Sequence, residues 1–256
     1  MKRLLYAIPF LLALYATPAL SAPTDLPSVL RTIDDRQRNS GDFHALVYIE
    51  NKEKGKSDLV YQADVYRRDT SDKLVILFVK PQSEAGKGYL RIDKNLFMYD
   101  PTVGKWERRT ERERIGGTGS QRSDFDESRL AEEYNPTYVG AEKLGAFGVH
   151  QLELRAKPGA DVTYPVMRLW VDEKTINILK AQELALSGKL MRTTYYPKWN
   201  TLFSEDKGKE VYFPQEIRIY DEVEKGNSTL VVMRKVDLKS LESNIFTKAW
   251  LESKSR

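Results

Sequence analysis

Alternation of apolar and polar residues dominates the chain from residue 42 onward. "DFHALVYIE" (Asp42 to Glu50) and "DLVYQADVYRR" (Asp58 to Arg68) change side at every residue, and the polar "NKEKGKS" between them contains Gly55. That pair predicts a β-hairpin. "KLVILFVK", Lys73 to Lys80, is apolar on both faces, as a covered central strand would be. "GKGYLRIDKNLFMYDPTVGKWERRT", Gly86 to Thr110, alternates, turns at Asp-Lys-Asn, alternates again and breaks at Asp100-Pro101. Further strand patterns run over His150 to Ala156, Val166 to Asp172, Ile176 to Leu184, Gly188 to Tyr196, Glu210 to Glu222 and Ser228 to Leu238, and "NIFTKAWLE" closes the chain. The pattern predicts about ten or eleven strands in one antiparallel sheet with two or three helices added, mainly β, without a domain boundary.

One helix precedes the strands. Leu26, Val29, Leu30 and Ile33 fall at i, i+3, i+4 and i+7, Asp25 or Ser28 can cap the start, and Asn39-Ser40-Gly41 ends it. Between the two groups of strands lies a polar, glycine-rich stretch from Glu111 to Tyr138. It contains one short helical pattern, beginning near Ser123 or Asp124, with Phe125, Leu130 and Tyr134 on roughly one side.

A large antiparallel sheet twists and curls, and the enclosed side is then plugged or left as an apolar cavity. The aromatics Phe97, Tyr99, Trp170 and Phe213 are expected to line it. Alternation puts Phe97 and Tyr99 on one face and Leu96 and Met98 on the other, but does not fix which face looks inward. The first helix, through Leu26 and Leu30, and the polar stretch, through Phe125 and Leu130, are expected to act as lid and gate.

The first residues, "MKRLLYAIPFLLALYATPALSAPTD", refine this picture. A basic start, an apolar run from Leu4 to Ala16 and small residues at Ala19, Ser21 and Ala22 have the layout of a cleaved secretory signal over residues 1–21. The alternative is an uncleaved anchor, but the run is short of the ~20 residues a span needs. Cleavage would leave a mature domain of residues 22–256, beginning at Ala22 or Pro23. It would also lower the formal charge from +4 by the two cations Lys2 and Arg3. Near-neutral balance gives no warrant for a nucleic-acid partner. The chain contains no cysteine, which excludes disulfides, thiol catalysis and thiolate metal sites.

Candidate chemistry is sparse. "IGGTGSQRS" (Ile115 to Ser123) lacks the lysine and spacing of a phosphate loop. His44 and His150 are far apart and read as strand residues. Asp124, Asp126 and Glu127 read as helix-capping residues rather than a calcium or acid–base site. No G-x-S-x-G elbow occurs. No catalytic residue, cofactor or metal is expected.

Four segments resemble the outer-membrane lipoprotein carrier superfamily (LolA/LolB-like), in its lipoprotein-sorting branch. They are the paired strands broken at Tyr99-Asp100-Pro101, the small-residue loop with Ser123-Asp124-Phe125, the strand and hairpin with Trp170, Asp172 and Gly188-Lys189, and the terminal Phe246-Thr247 followed by Leu251-Glu252. The resemblance implies a half-open antiparallel barrel with helices over its concave face. It also implies a periplasmic, monomeric, non-enzymatic carrier of lipid or lipoprotein acyl chains, partnered by an inner-membrane transporter and an outer-membrane acceptor. The rivals are a module that docks on an inner-membrane export complex without carrying cargo, and an envelope hydrolase.

Overall fold

The computed structural model describes residues 23, 25–37, 41–92, 95–110, 114–121, 124 and 128–255. The signal-peptide reading and Phe125 lie outside them. Helix α1 (Leu26–Gln37) forms where the apolar spacing places it, and the Asp25 carboxylate accepts from Ser28 N–H at 3.0 Å to cap it. Its Leu30 and Ile33 are buried.

The strands are β1 (Asp42–Lys52), β2 (Leu59–Arg68), β3 (Lys73–Lys80), β4 (Gly88–Ile92), β5 (Asn95–Asp100), β6 (Lys105–Arg109), β7 (Tyr134–Leu144), β8 (Phe147–Ala156), β9 (Val166–Asp172), β10 (Ile178–Leu184), β11 (Leu190–Ser204), β12 (Lys209–Asp221) and β13 (Ser228–Asp237). They form one 13-stranded sheet in the order β6-β5-β4-β3-β2-β1-β13-β12-β11-β10-β9-β8-β7. The sheet is antiparallel, curled and open. Its two edges, β6 and β7, are consecutive in the chain. The single long connection therefore joins the two sides of the gap.

The sheet is larger than the expected ten or eleven strands. β7, "YNPTYVGAEKL", carries Pro136 and Gly140 and buries only Tyr134 fully. It pairs only with β8, and an edge position is where a sheet tolerates proline. β11 runs on past Tyr196 through two register shifts around Pro197 and Lys198.

Two further differences come from tertiary contacts. Of the helical piece expected near Ser123, the part among the described residues is α2 (Leu130–Glu133); residues 122, 123 and 125–127 lie outside them. The first donors of α2, Leu130 N–H and Ala131 N–H, reach Asp34 of α1 at 2.8 and 2.9 Å, so the cap comes from another helix. "NIFTKAWLE" folds as a 3-10 turn (Ser243–Phe246) and then α3 (Lys248–Lys254), where the Thr247 side chain accepts from Trp250 N–H. Helix α3 does not join the cover of the concave face: Leu251 and Phe246 pack on Val75 and Leu90, on the convex side.

Two objects fill the concavity. Helix α1 lies over β8–β10, burying Leu30 and Ile33 against Leu152, Leu169 and Ala181. The glycine-rich segment 114–121 enters over β1–β5, with Ile115 in the cluster of Phe43, Ile76 and Phe78. Tyr61 Oη donates to the Gly116 carbonyl and Gly116 N–H donates to Tyr89 Oη, both at 3.2 Å. Gly116 has φ +60°, and a Cβ there would stand 3.0 Å from Phe78 Cζ. Gly116→Val is expected to cost about 1–3 kcal/mol, from backbone strain and overpacking together. Urea denaturation checks this; an unchanged midpoint would show that the segment is not seated.

Candidate functional site

Between α1 and the 114–121 segment the concave face leaves a cavity of about 610 Å³. That is within the range of small-molecule sites. Val65, Ile76, Phe213, Ile217 and Val231 form one wall, Leu169 and Ile178 the other, and Leu130 of α2 borders it. The alternation of β12 aims Phe213, Ile217 and Ile219 inward. Phe213 is held edge-on to Phe43, ring centroids 5.3 Å apart. At one margin Arg36 of α1 donates to Asn177 Oδ1 at 2.9 Å and stacks 4.7 Å above the Tyr212 ring.

The structure separates the four aromatics expected to line one cavity. Phe213 borders it. Phe97 and Tyr99 do not: they face the convex side. The register decides this. Leu96 pairs with Arg91 and Met98 with Tyr89 on the inner face, whereas Phe97 pairs with Leu90 on the outer one. Outside, Lys248 Nζ of α3 lies 4.5 Å from the Phe97 ring centroid, and Tyr99 packs on Trp106 at 5.1 Å. Alternation could not give the sign, because α3 covers the convex face at this end and both faces are apolar. Trp170 is also outside. Its neighbours Leu169 and Val171 are in the inner cluster, while its own ring carries Lys180 Nζ at 4.0 Å and its Nε1–H donates to Glu142. Of the lid residues, Leu30 is fully buried beneath α1 and Leu26 packs beside it.

This placement has a measurable consequence. Phe97→Asp, on the convex face, is expected to leave the uptake of the fluorescent apolar probe N-phenylnaphthylamine unchanged. Ile217→Trp projects an indole into the empty space and is expected to abolish uptake while the protein stays folded. Loss of uptake in the Phe97 variant, or full uptake in the Ile217 variant, would contradict the cavity as drawn.

One group of residues in the cavity wall escaped the sequence reading. Glu183 of β10 and Arg192 and Thr194 of β11 are all buried and all border the cavity. Arg192 holds Asp124 in a fork–fork pair, Nη1–Oδ1 2.7 Å and Nη2–Oδ2 2.8 Å, which ties the long connection to β11. Arg192 Nε lies 3.5 Å from Glu183 Oε2 in a geometry that makes no hydrogen bond. Burial pushes the Glu183 carboxyl up to about 7; Arg192 pulls it back and Asp124 adds to the rise. Burial also works against the Arg192 charge, but Asp124 and Glu183 outweigh it and hold the guanidinium above its ordinary value. The available signal was a Glu and an Arg at inward positions of "ILKAQEL" and "KLMRTT", where Ala181 and Thr194 share their faces.

Neither histidine enters the cavity. His44 Nε2 meets Asp64 Oδ1 at 2.8 Å and its ring stacks on Tyr66. His150 Nδ1 is buried without a partner beside Tyr138. Among the described residues no cluster of His, Asp or Glu could hold a metal ion.

Residues 70–253 match a family model described only as that of an uncharacterized protein. A LolA superfamily protein from Nitrosomonas europaea superposes with a TM-score of 0.69 at 23% identity, over 87% of this chain and 97% of that one. An outer-membrane lipoprotein-sorting protein domain from Vibrio parahaemolyticus gives 0.75 at 17% identity, over 88% and 97%. A DUF1329 family protein from Desulfovibrio piger gives 0.75 at 16% identity, over 88% and 97%. No curated protein matches.

Proposed function

The chain belongs to the family matched over residues 70–253 and has the LolA-like fold, and from that premise we propose that it is a periplasmic carrier that holds the acyl chains of a lipid or lipoprotein in its concave cavity. The supporting observation is the cavity itself, about 610 Å³, whose wall is more apolar than polar, on the face that α1 covers. Each methylene moved out of water contributes about 0.8 kcal/mol, so a carrier needs apolar area and no reactive group. A non-carrying docking module would have its concavity filled by side chains, and an envelope hydrolase would need a nucleophile beside a base. His44, the histidine with a carboxylate partner, lies with Tyr66 and Trp250, away from the cavity.

The likeness to the Vibrio lipoprotein-sorting domain agrees with this reading. So does the basic and apolar N-terminus, as a cleaved export signal. Among the described residues no helix is long and apolar enough to cross a membrane. Cargo transfer would then involve a membrane transporter on one side and an outer-membrane acceptor on the other.

Native mass spectrometry of protein recovered from the periplasm tests location and cargo together. The expected species begins at Ala22 or Pro23 and carries bound lipid or lipoprotein. A chain beginning at Met1 would overturn the exported form, and a cargo-free protein that also refuses apolar probes would overturn the carrier.

A further inference from the structure

A cavity wall built only to hold hydrocarbon has no use for Glu183, Arg192 and Thr194. Three of their atoms, Glu183 Oε2, Arg192 Nε and Thr194 Oγ1, are shut off from water with no hydrogen-bond partner. Among the described residues Glu183 accepts no hydrogen bond at either oxygen. Such atoms are rare in folded proteins, and each left unpaired costs about 1–3 kcal/mol. Three occur together here, and two of them, Glu183 Oε2 and Arg192 Nε, face each other at 3.5 Å as an ion pair without a hydrogen bond. In the ladder Arg192 stands opposite Glu183 and Thr194 opposite Ala181, the inward neighbour of Glu183.

We infer that Glu183, Arg192 and Thr194 form a polar subsite in the cavity that receives an uncharged hydrogen-bond donor of the cargo, a hydroxyl or an amide N–H. The inference rests on the carrier reading and adds to it a class of head group. The charges around the subsite argue for neutrality. Arg192 from β11 and Asp124 from the long connection cancel as a pair, and Glu183 stands beside them. The remaining titratable groups acting on it, Tyr134 of β7, Tyr164 of the segment before β9 and Tyr196 of β11, are phenols kept protonated by burial. A second carboxylate would meet Asp124 and Glu183 in a dry site, and an ammonium would meet Arg192. A hydroxyl or amide meets neither penalty. Once a turn of these side chains brings their covered polar atoms to the cavity surface, it can donate to the Glu183 carboxylate, and its oxygen can accept from Thr194 Oγ1–H or Arg192 Nε–H.

The test is displacement of N-phenylnaphthylamine at pH 7.5 by dodecanol, methyl laurate and dodecanoate, which share a chain and differ in the head. Dodecanol is expected to bind about tenfold more tightly than methyl laurate, the worth of one good hydrogen bond, with dodecanoate the weakest. Glu183→Gln, which can still accept, should keep the preference for the alcohol. Glu183→Leu should reduce the ratio to about one. Equal affinities in the unmodified protein, or a preference that survives Glu183→Leu, would overturn the subsite while the carrier reading stands. If neither the probe nor any of the three molecules binds, the carrier reading falls and the subsite with it.

Discussion

Replacing Arg192 with methionine destabilises the protein by about 3 kcal/mol at pH 7, and by more as the pH rises. Methionine keeps much of the apolar stem, so the loss is chiefly electrostatic. Two charge-assisted bonds to Asp124, at 2.7 and 2.8 Å, disappear. Asp124 has a side chain one-quarter exposed and can turn back towards water, which limits its share. Glu183 cannot, since its side chain is only 12% exposed and faces the cavity wall. With the cation gone, the one influence that opposed burial at Glu183 is lost, and its carboxyl holds its proton to higher pH. The folded variant must then keep a proton that the unfolded chain gives up, and that cost grows with each unit of pH. A second change, Glu183→Gln, removes the growth but not the loss of the Asp124 bonds. Urea midpoints at pH 6 and pH 8.5 for both variants decide it. A loss below about 1 kcal/mol, or one independent of pH, would mean that the buried cluster is not held by Arg192.

The sheet could be read from the sequence because period-two patterning leaves a strong signal wherever one face is buried. β1, β2, β8, β9 and β12 announce themselves in that way. β7 did not, because this edge strand carries Pro136 and Gly140 and buries only Tyr134 fully. The helix at Lys248–Lys254 was obscured for a different reason: its burial against Val75 and Leu90 depends on the sheet already being curled. Alternation identified which residues share a face but not which face was concave. Phe97 and Tyr99 fell on the wrong side for that reason, and Trp170 likewise. The polar cluster was hardest to see. Asp124 stands 59 positions before Glu183 and Arg192 lies across a hairpin from it, so only the register of β10 with β11 and the path of the long connection bring the three together. Local reading gave Asp124 a capping role, the cheapest use of an aspartate near a short helix.

Between pH 4.5 and 7 the protein is expected to lose stability as the pH rises, by about 3 kcal/mol from Glu183 alone. The sign follows from the raised carboxyl. Its ordinary value is 4.5 and its folded value about 7, because burial disfavours the charge more than Arg192 favours it. Below about 4.5 both folded and unfolded chains hold the proton, and the contribution is fully present. Between the two values the unfolded chain releases its proton and the folded one keeps it, so each step upward favours unfolding. Above about 7 both are ionised and the loss is complete. Carboxyls held low by hydrogen bonds, Asp206 by Asp42 N–H and Ser240 and Asp100 by Thr102, work in the opposite sense. They titrate below 3.8 in the folded protein and leave the window from 4.5 to 7 largely to Glu183. Glu183→Gln isolates the effect, since the amide cannot titrate: the difference in unfolding free energy between variant and parent should widen in the variant's favour from pH 4.5 to 7 and then level off. A difference that stays flat across that interval would show that Glu183 ionises in the folded protein as it does in water, and with that the dry subsite in the cavity wall would be lost.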